Sequence, residues 1–138
     1  MASRFLEDFE AGQIFQTTET ELSEADIRRY AERFDPREIH LGGLVASPFH
    51  ALCLTFRLFF DLHLWDAAII GSPGVRAVEW REPLRLGDRL RSRIEVIEVR
   101  RSQSKPDRGI VTMRHESFNQ AGAPIVAAVC LHMIRSRP

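Results

Sequence analysis

The chain has 138 residues, of which 44% are apolar and 28% charged, and its 19 basic and 19 acidic side chains cancel. That length suits one domain with a real core, and a formally neutral chain carries no global attraction for nucleic acid. The longest strongly apolar stretch, residues 49–60, is interrupted by Arg57 and bounded by Asp61, too short and too charged for a membrane span.

Residues 1–10 are mixed polar and acidic, which does not read as a secretory signal. Residues 14–20 are threonine-rich and read as a short strand. Ser23, with Asp26 three residues on, reads as a helix N-cap. Ile27, Tyr30, Ala31 and Phe34 then recur at helical spacing. The helix should stop before Asp35-Pro36, because a residue preceding proline avoids helical backbone. Residues 35–46 read as an irregular stretch holding Pro36, His40, Gly42 and Gly43. Ser47-Pro48 is a cap followed by a first-turn proline. The helix it opens is apolar round nearly its whole circumference, with only His50, Arg57 and Asp61 as a polar stripe. Such a helix must be surrounded by protein, and wrapping a sheet around it is the economical solution.

The remaining sequence supplies that sheet. Residues 71–74, Gly-Ser-Pro-Gly, read as a loop and 75–80 as a strand. Leu90, Ser92, Ile94 and Val96 alternate with charged residues, and the phase then slips to Ile97 and Val99, the mark of a β-bulge. Strands at 110–118 and 125–134 follow, separated by turns. The last is almost continuously apolar, as in a central strand covered on both faces. The expected architecture is α+β: a single domain over residues 1–138, with four strands in an antiparallel meander curled around one long buried helix. Basic residues crowd residues 81–108 and read as the solvated face of two strands. Cys53 and Cys130 have no ligand neighbours at zinc spacing and read as reduced, buried, small hydrophobes of a cytoplasmic protein.

Two residues suit acid–base chemistry. His40 is able to carry a proton near neutral pH, and Asp35, five residues earlier, is able to orient it or help hold a water. A helix start adds backbone N–H groups that favour developing negative charge, with Ser47 and the backbone around Phe49 as candidate contacts. His50 is either a group facing the substrate or a packed core histidine, and His115 reads as structural.

These residues resemble a family. Arg33-Phe34-Asp35-Pro36 leading to His40 looks like the signature of MaoC-like dehydratases, related to (R)-specific enoyl-CoA hydratases. The run from Gly42 to His50, the stretch from Gly71 to Val75, and Arg81-Glu82-Pro83-Leu84-Arg85-Leu86-Gly87-Asp88 continue the match in the family's order. The resemblance implies a hotdog fold, a homodimer, and reversible hydration of a 2-enoyl thioester carried on CoA or an acyl carrier protein. Asp35 and His40 match the family's catalytic pair, while Ser47, Phe49 and His50 stand where substrate is held. No metal, flavin or nucleotide cofactor is implied, nor a nucleic-acid or membrane partner. This sequence departs from the family pattern at Pro36, which directly follows Asp35, and in having only Leu41 between His40 and Gly42. It departs again at Pro48, which has no N–H to offer a thioester oxygen. The alternatives are a non-catalytic module that binds acyl thioesters, which the short connection and Pro48 favour, and a hotdog thioesterase.

Overall fold

The computed structural model describes residues 3–138, and the first two residues of the polar N-terminal segment lie outside them. A 3-10 turn, Leu6–Asp8, opens the described chain and seats Leu6 and Phe9 in the core. The threonine-rich stretch forms two short strands, β1 (Ile14–Gln16) and β2 (Thr20–Glu21), both paired with β4 (Arg89–Arg101). Helix α1 (Glu24–Phe34) is capped by Ser23, whose Oγ accepts from the Asp26 N–H at 3.2 Å. It ends at Phe34, directly before Asp35-Pro36.

The long helix α3 (Pro48–Phe60) begins at its Ser47 cap with proline in the first turn. Three more strands complete the sheet: β3 (Ile69–Trp80), β5 (Arg108–Phe118) and β6 (Pro124–Arg135). All pairings are antiparallel, in the order β1-β4-β5-β6-β3, with β2 also on β4. The bulge expected after Val96 is present as a register shift between Val96 and Glu98.

Five expectations need correction. The strands do not form a simple meander, because β3 crosses to pair with β6 and becomes an edge. Gly71-Ser72-Pro73-Gly74 lies within β3, where register shifts at Gly71 and Gly74 absorb the irregularity. Proline is tolerated there because an edge strand has one side without ladder bonds. Strand β6 alternates buried with half-buried residues, so a single chain fully covers only one of its faces. The sheet likewise wraps only one side of α3. Ala51, Thr55, Leu58 and Phe59 face it and are buried, whereas Phe49 is 52% and Phe60 53% exposed. Cys53 is exposed on that open side, contrary to the buried reading, while Cys130 is buried. One six-stranded sheet is not broad enough to encircle a helix, so the apolar circumference exceeds what this chain covers.

Phe59 is the anchor of the covered side. Its ring lies 5.2 Å from Trp65, 4.8 Å from His115 and 5.4 Å from His132, centroid to centroid. Phe59→Ala would leave a cavity that these rigid neighbours do not fill, at an expected cost of about 3–5 kcal/mol. Urea unfolding measures it, and a loss well under ~1 kcal/mol would contradict the packing.

The basic run is solvated as expected. Arg81, Arg85, Arg89, Arg100 and Lys105 are exposed, and Arg93 is shared between Glu95 and Glu116 at 3.6 and 3.9 Å. Among the described residues no helix is long and apolar enough to cross a membrane.

Candidate active site

The stretch after α1 is less irregular than its glycines suggest. Residues Glu38–Leu41 form a single helical turn, α2, which carries His40. Arg28 of α1 holds this turn by donating from its guanidinium to the Leu41 carbonyl at 2.9 Å. Gly43 then turns the chain at φ +76°, and a Cβ there would lie 2.7 Å from Glu24 Cγ and 2.9 Å from Arg28 Nε. Only glycine meets both the conformation and the space. The chain continues through Leu44–Ala46, bridged to Leu84–Leu86 by the Ala46 N–H to the Leu84 carbonyl and the Leu86 N–H to the Leu44 carbonyl, each 2.9 Å. Val45, paired with Arg85 in that bridge, directs its carbonyl at His40.

Asp35 and His40 come together beside the start of α3. Their exposures are 7% and 5%, and His40 Nε2 stands 3.6 Å from Asp35 Oδ2. A carbonyl oxygen only accepts, so the 3.1 Å contact between His40 Nδ1 and the Val45 carbonyl puts a proton on Nδ1. Nε2 is therefore the ring atom left to take up or release a proton, and it faces the carboxylate. Asp35 is held by more than His40. Arg37 donates from Nε to Oδ1 and from its terminal nitrogen to Oδ2, both at 2.6 Å, and Ser47 Oγ donates to Oδ2 at 2.6 Å. The Arg37 guanidinium first, then the Ser47 hydroxyl, hold the Asp35 carboxyl well below the usual carboxylate range against the opposing effect of burial.

Ser47 links the pair to α3. Its hydroxyl donates to Asp35 and accepts from the Phe49 N–H at 3.2 Å. Pro48 has no N–H, and the Ala51 N–H is taken by the Ser47 carbonyl. Among the described residues the first-turn N–H left without an acceptor is that of His50. The Phe49 side chain lies outside the site, edge-on to Trp80 at 5.2 Å. The His50 ring turns away, stacking on Tyr30 at 4.6 Å with an interplanar angle of 4°. It is buried, its Nδ1 has no partner, and burial lowers its pKa. Of the five residues singled out, Asp35, His40 and Ser47 converge, and Phe49 and His50 are next to them through backbone alone.

A cavity of about 350 Å3 adjoins His40. Val45, Ala46, Pro48, Ala51, Leu84 and Ile125 give it an apolar wall, and Arg81, Glu82 and Arg85 also line it. Trp80 closes one side. A register shift between Arg76 and Glu79, with Ala77 at φ +52°, brings the end of β3 to the helix start, where Trp80 Nε1 donates to the Pro48 carbonyl at 2.7 Å. The sequence reading missed Arg37 and Trp80. The signal for Arg37 was a basic residue two places after the acid, and Trp80 carried none because its neighbours come from distant elements.

An antiparallel sheet curled against one long helix is the hotdog architecture. The crystal structure of the MaoC-like dehydratase from Rhodospirillum rubrum shares it with a TM-score of 0.87 and 31% identity over 99% of each chain. This chain belongs to the MaoC-like dehydratase family. The unliganded R-hydratase PhaJ1 from Pseudomonas aeruginosa has the same fold at TM-score 0.75 and 21% identity, over 96% of this chain and 86% of that one. An uncharacterized protein, YdeM from Bacillus subtilis (strain 168), is 26% identical over 125 residues, covering 83% of this chain and 87% of the relative. No family model matches the chain.

Proposed function

We propose that the protein is an acyl-thioester (de)hydratase that adds water reversibly to a 2-enoyl group carried on CoA or an acyl carrier protein. The observation that carries this reading is the approach of His40 Nε2 to within 3.6 Å of Asp35 Oδ2, beside an apolar cavity and a helix start. A water held between the two groups loses a proton to His40 Nε2 as its oxygen bonds to C3. The π electrons move toward the thioester oxygen, which becomes enolate-like, and the His40 imidazolium then gives its Nε2 proton to C2, which restores the neutral ring. Loss of water is the reverse. The His50 N–H is the helix-start amide that supports this reading by being free to meet the negative oxygen, in the role Pro48 cannot fill. Incubating the purified protein with crotonyl-CoA and following the enoyl absorbance tests it. Hydration is the expected result; release of free thiol instead would mark a thioesterase, and binding without turnover a non-catalytic module.

The same reading includes a homodimer. Its support is the half of α3 that this chain leaves open, with Phe49, Phe60 and Cys53 exposed, and the free edge of β3, where Val75 is exposed. Apolar surface and an unpaired edge both call for cover. Light scattering is expected to give twice the 15.8 kDa chain mass; a monomer mass across a wide concentration range would count decisively against it. Two free cysteines, one of them exposed, fit a reducing cytoplasm.

A further inference from the structure

Asp35 is nine-tenths buried, yet the group that grips it reaches in from the surface, for the Arg37 side chain is 60% exposed. An ordinary surface ion pair contributes little. This one differs in geometry, because the guanidinium engages both carboxylate oxygens as a fork, at 2.6 Å each, across only two residues. Proline at 36 fixes its own φ and restricts the turn between them. Arg37, with extended backbone at φ −67° and ψ 142°, then caps α2, the turn that carries His40.

We propose that Arg37 is the positioning residue of this site, fixing the plane of the Asp35 carboxylate and reserving proton transfer for His40 Nε2. The inference rests on the hydratase reading. A carboxylate has about four acceptor positions. Arg37 and Ser47 fill both positions on Oδ2 and Arg37 fills one on Oδ1, which leaves one, on Oδ1, for a water, while His40 Nε2 lies beside Oδ2 at 3.6 Å. So engaged, Asp35 holds and orients the water but does not take its proton. The fork also offsets the carboxylate's charge, which would otherwise oppose the negative oxygen that develops on the thioester. The other groups near Asp35 do not replace this cation. From α1 comes the Tyr30 phenol, whose pKa is pushed up to about 12 by burial and by Cys53, with Asp35 a smaller cause, so it stays neutral. From α3 comes the Ser47 hydroxyl, and from α2 His40 itself.

The test compares native protein with Arg37→Gln and Arg37→Lys by two measurements. The first is the 13C titration of the Asp35 carboxyl, which does not depend on any activity. Glutamine removes the largest cause of the lowered value, so the Asp35 midpoint should rise by roughly one pH unit or more. The second is hydration of crotonyl-CoA. Arg37→Gln should lower kcat by about 10-fold or more, within the ~10²-fold that misplaced groups cost, with KM little changed. Lysine keeps the charge without the fork, so kcat should stay low while the Asp35 midpoint lies between the other two. An unmoved Asp35 midpoint, an unchanged kcat, or full recovery of kcat in Arg37→Lys would each overturn the proposal. Should native protein not hydrate crotonyl-CoA, the hydratase reading fails on that arm, and the Asp35 titration alone still decides whether Arg37 sets the state of the carboxyl.

Discussion

His40→Ala is expected to lower turnover of a 2-enoyl thioester by about 10²–10⁴-fold, the range that a positioned acid–base group contributes. The fold should survive. The hydrogen bond lost is the one from Nδ1 to the Val45 carbonyl, and Leu44–Ala46 keep their pairing with Leu84–Leu86. Asp35 also remains held by Arg37 and Ser47, so the loss would be of the proton carrier and not of the site around it. Asp35→Asn should act comparably for a different reason. The amide keeps the shape but puts an NH2 in place of one of two oxygens that both now accept from donors, and the water loses a charged acceptor. Arg37, largely exposed, is left unpaired at little cost. Enoyl absorbance gives the rates, and thermal unfolding checks the fold. Turnover that survived both substitutions would put the chemistry on other residues.

Acidification should destabilise the protein in a window set by buried histidines. His115 and His132 sit in the core beneath α3, with Nε2 atoms 3.2 Å apart and exposures of 0% and 1%. His132 Nδ1 contacts Ser72 Oγ at 3.1 Å and Cys130 Sγ at 3.9 Å, while His115 Nδ1 has no partner. Phe56, Phe59 and Trp65 pack around the pair. Among the described residues no carboxylate touches either ring, so burial pushes His115 down to about 3, helped by His132, and His132 down to about 4. Both values lie below the ~6.5 of an unfolded histidine. Below that pH the unfolded chain binds protons that the folded chain refuses. The contribution is therefore complete above about pH 6.5 and is lost as pH falls toward the folded values. Each refused proton adds about 1.4 kcal/mol per pH unit to the slope, and the pair roughly twice that. The carboxylates act lower, since Glu7 is held down to about 2 by Ser136, Arg137 and Arg101. Urea unfolding from pH 7 to pH 4.5 should show this steep fall, and His115→Met should remove about one proton from it. A flat profile over that range would mean that the pair is not held neutral.

The two caps illustrate what local chemistry settles. Ser23 and Ser47 each present a hydroxyl to a free N–H one turn into a helix, and both helices start where those serines stand. The stop at Phe34 follows from Pro36, and the bulge after Val96 follows from a break in alternation that no flat strand accommodates. Other features depended on distant partners. Strand β3 was read as starting after Pro73 because its local residues disfavour a ladder, yet β6 pairs with it through Gly71 and Gly74. Helix α3 was read as enclosed because apolar periodicity reports what a helix needs to bury. It does not report whether one sheet is broad enough to bury it.

The site divides in the same way. Asp35 and His40 were legible as candidates because they match a known family; on their own a loop acid and a histidine are commonplace. Their spacing alone did not determine a distance. That came from α2, which turns His40 inward, and from the Val45 carbonyl, held by Leu84–Leu86 some forty residues along the chain. The sequence by itself determined the helix ends and the apolar faces, which follow from interactions within a few residues, and it marked Asp35 and His40 as candidates through their match to a family. The tertiary structure alone decided the strand order, the open side of α3, the turning of His50 onto Tyr30 and the fork of Arg37 on Asp35. These depend on how separate elements meet in space, and on side chains that choose among several partners only once packing has brought those partners within reach.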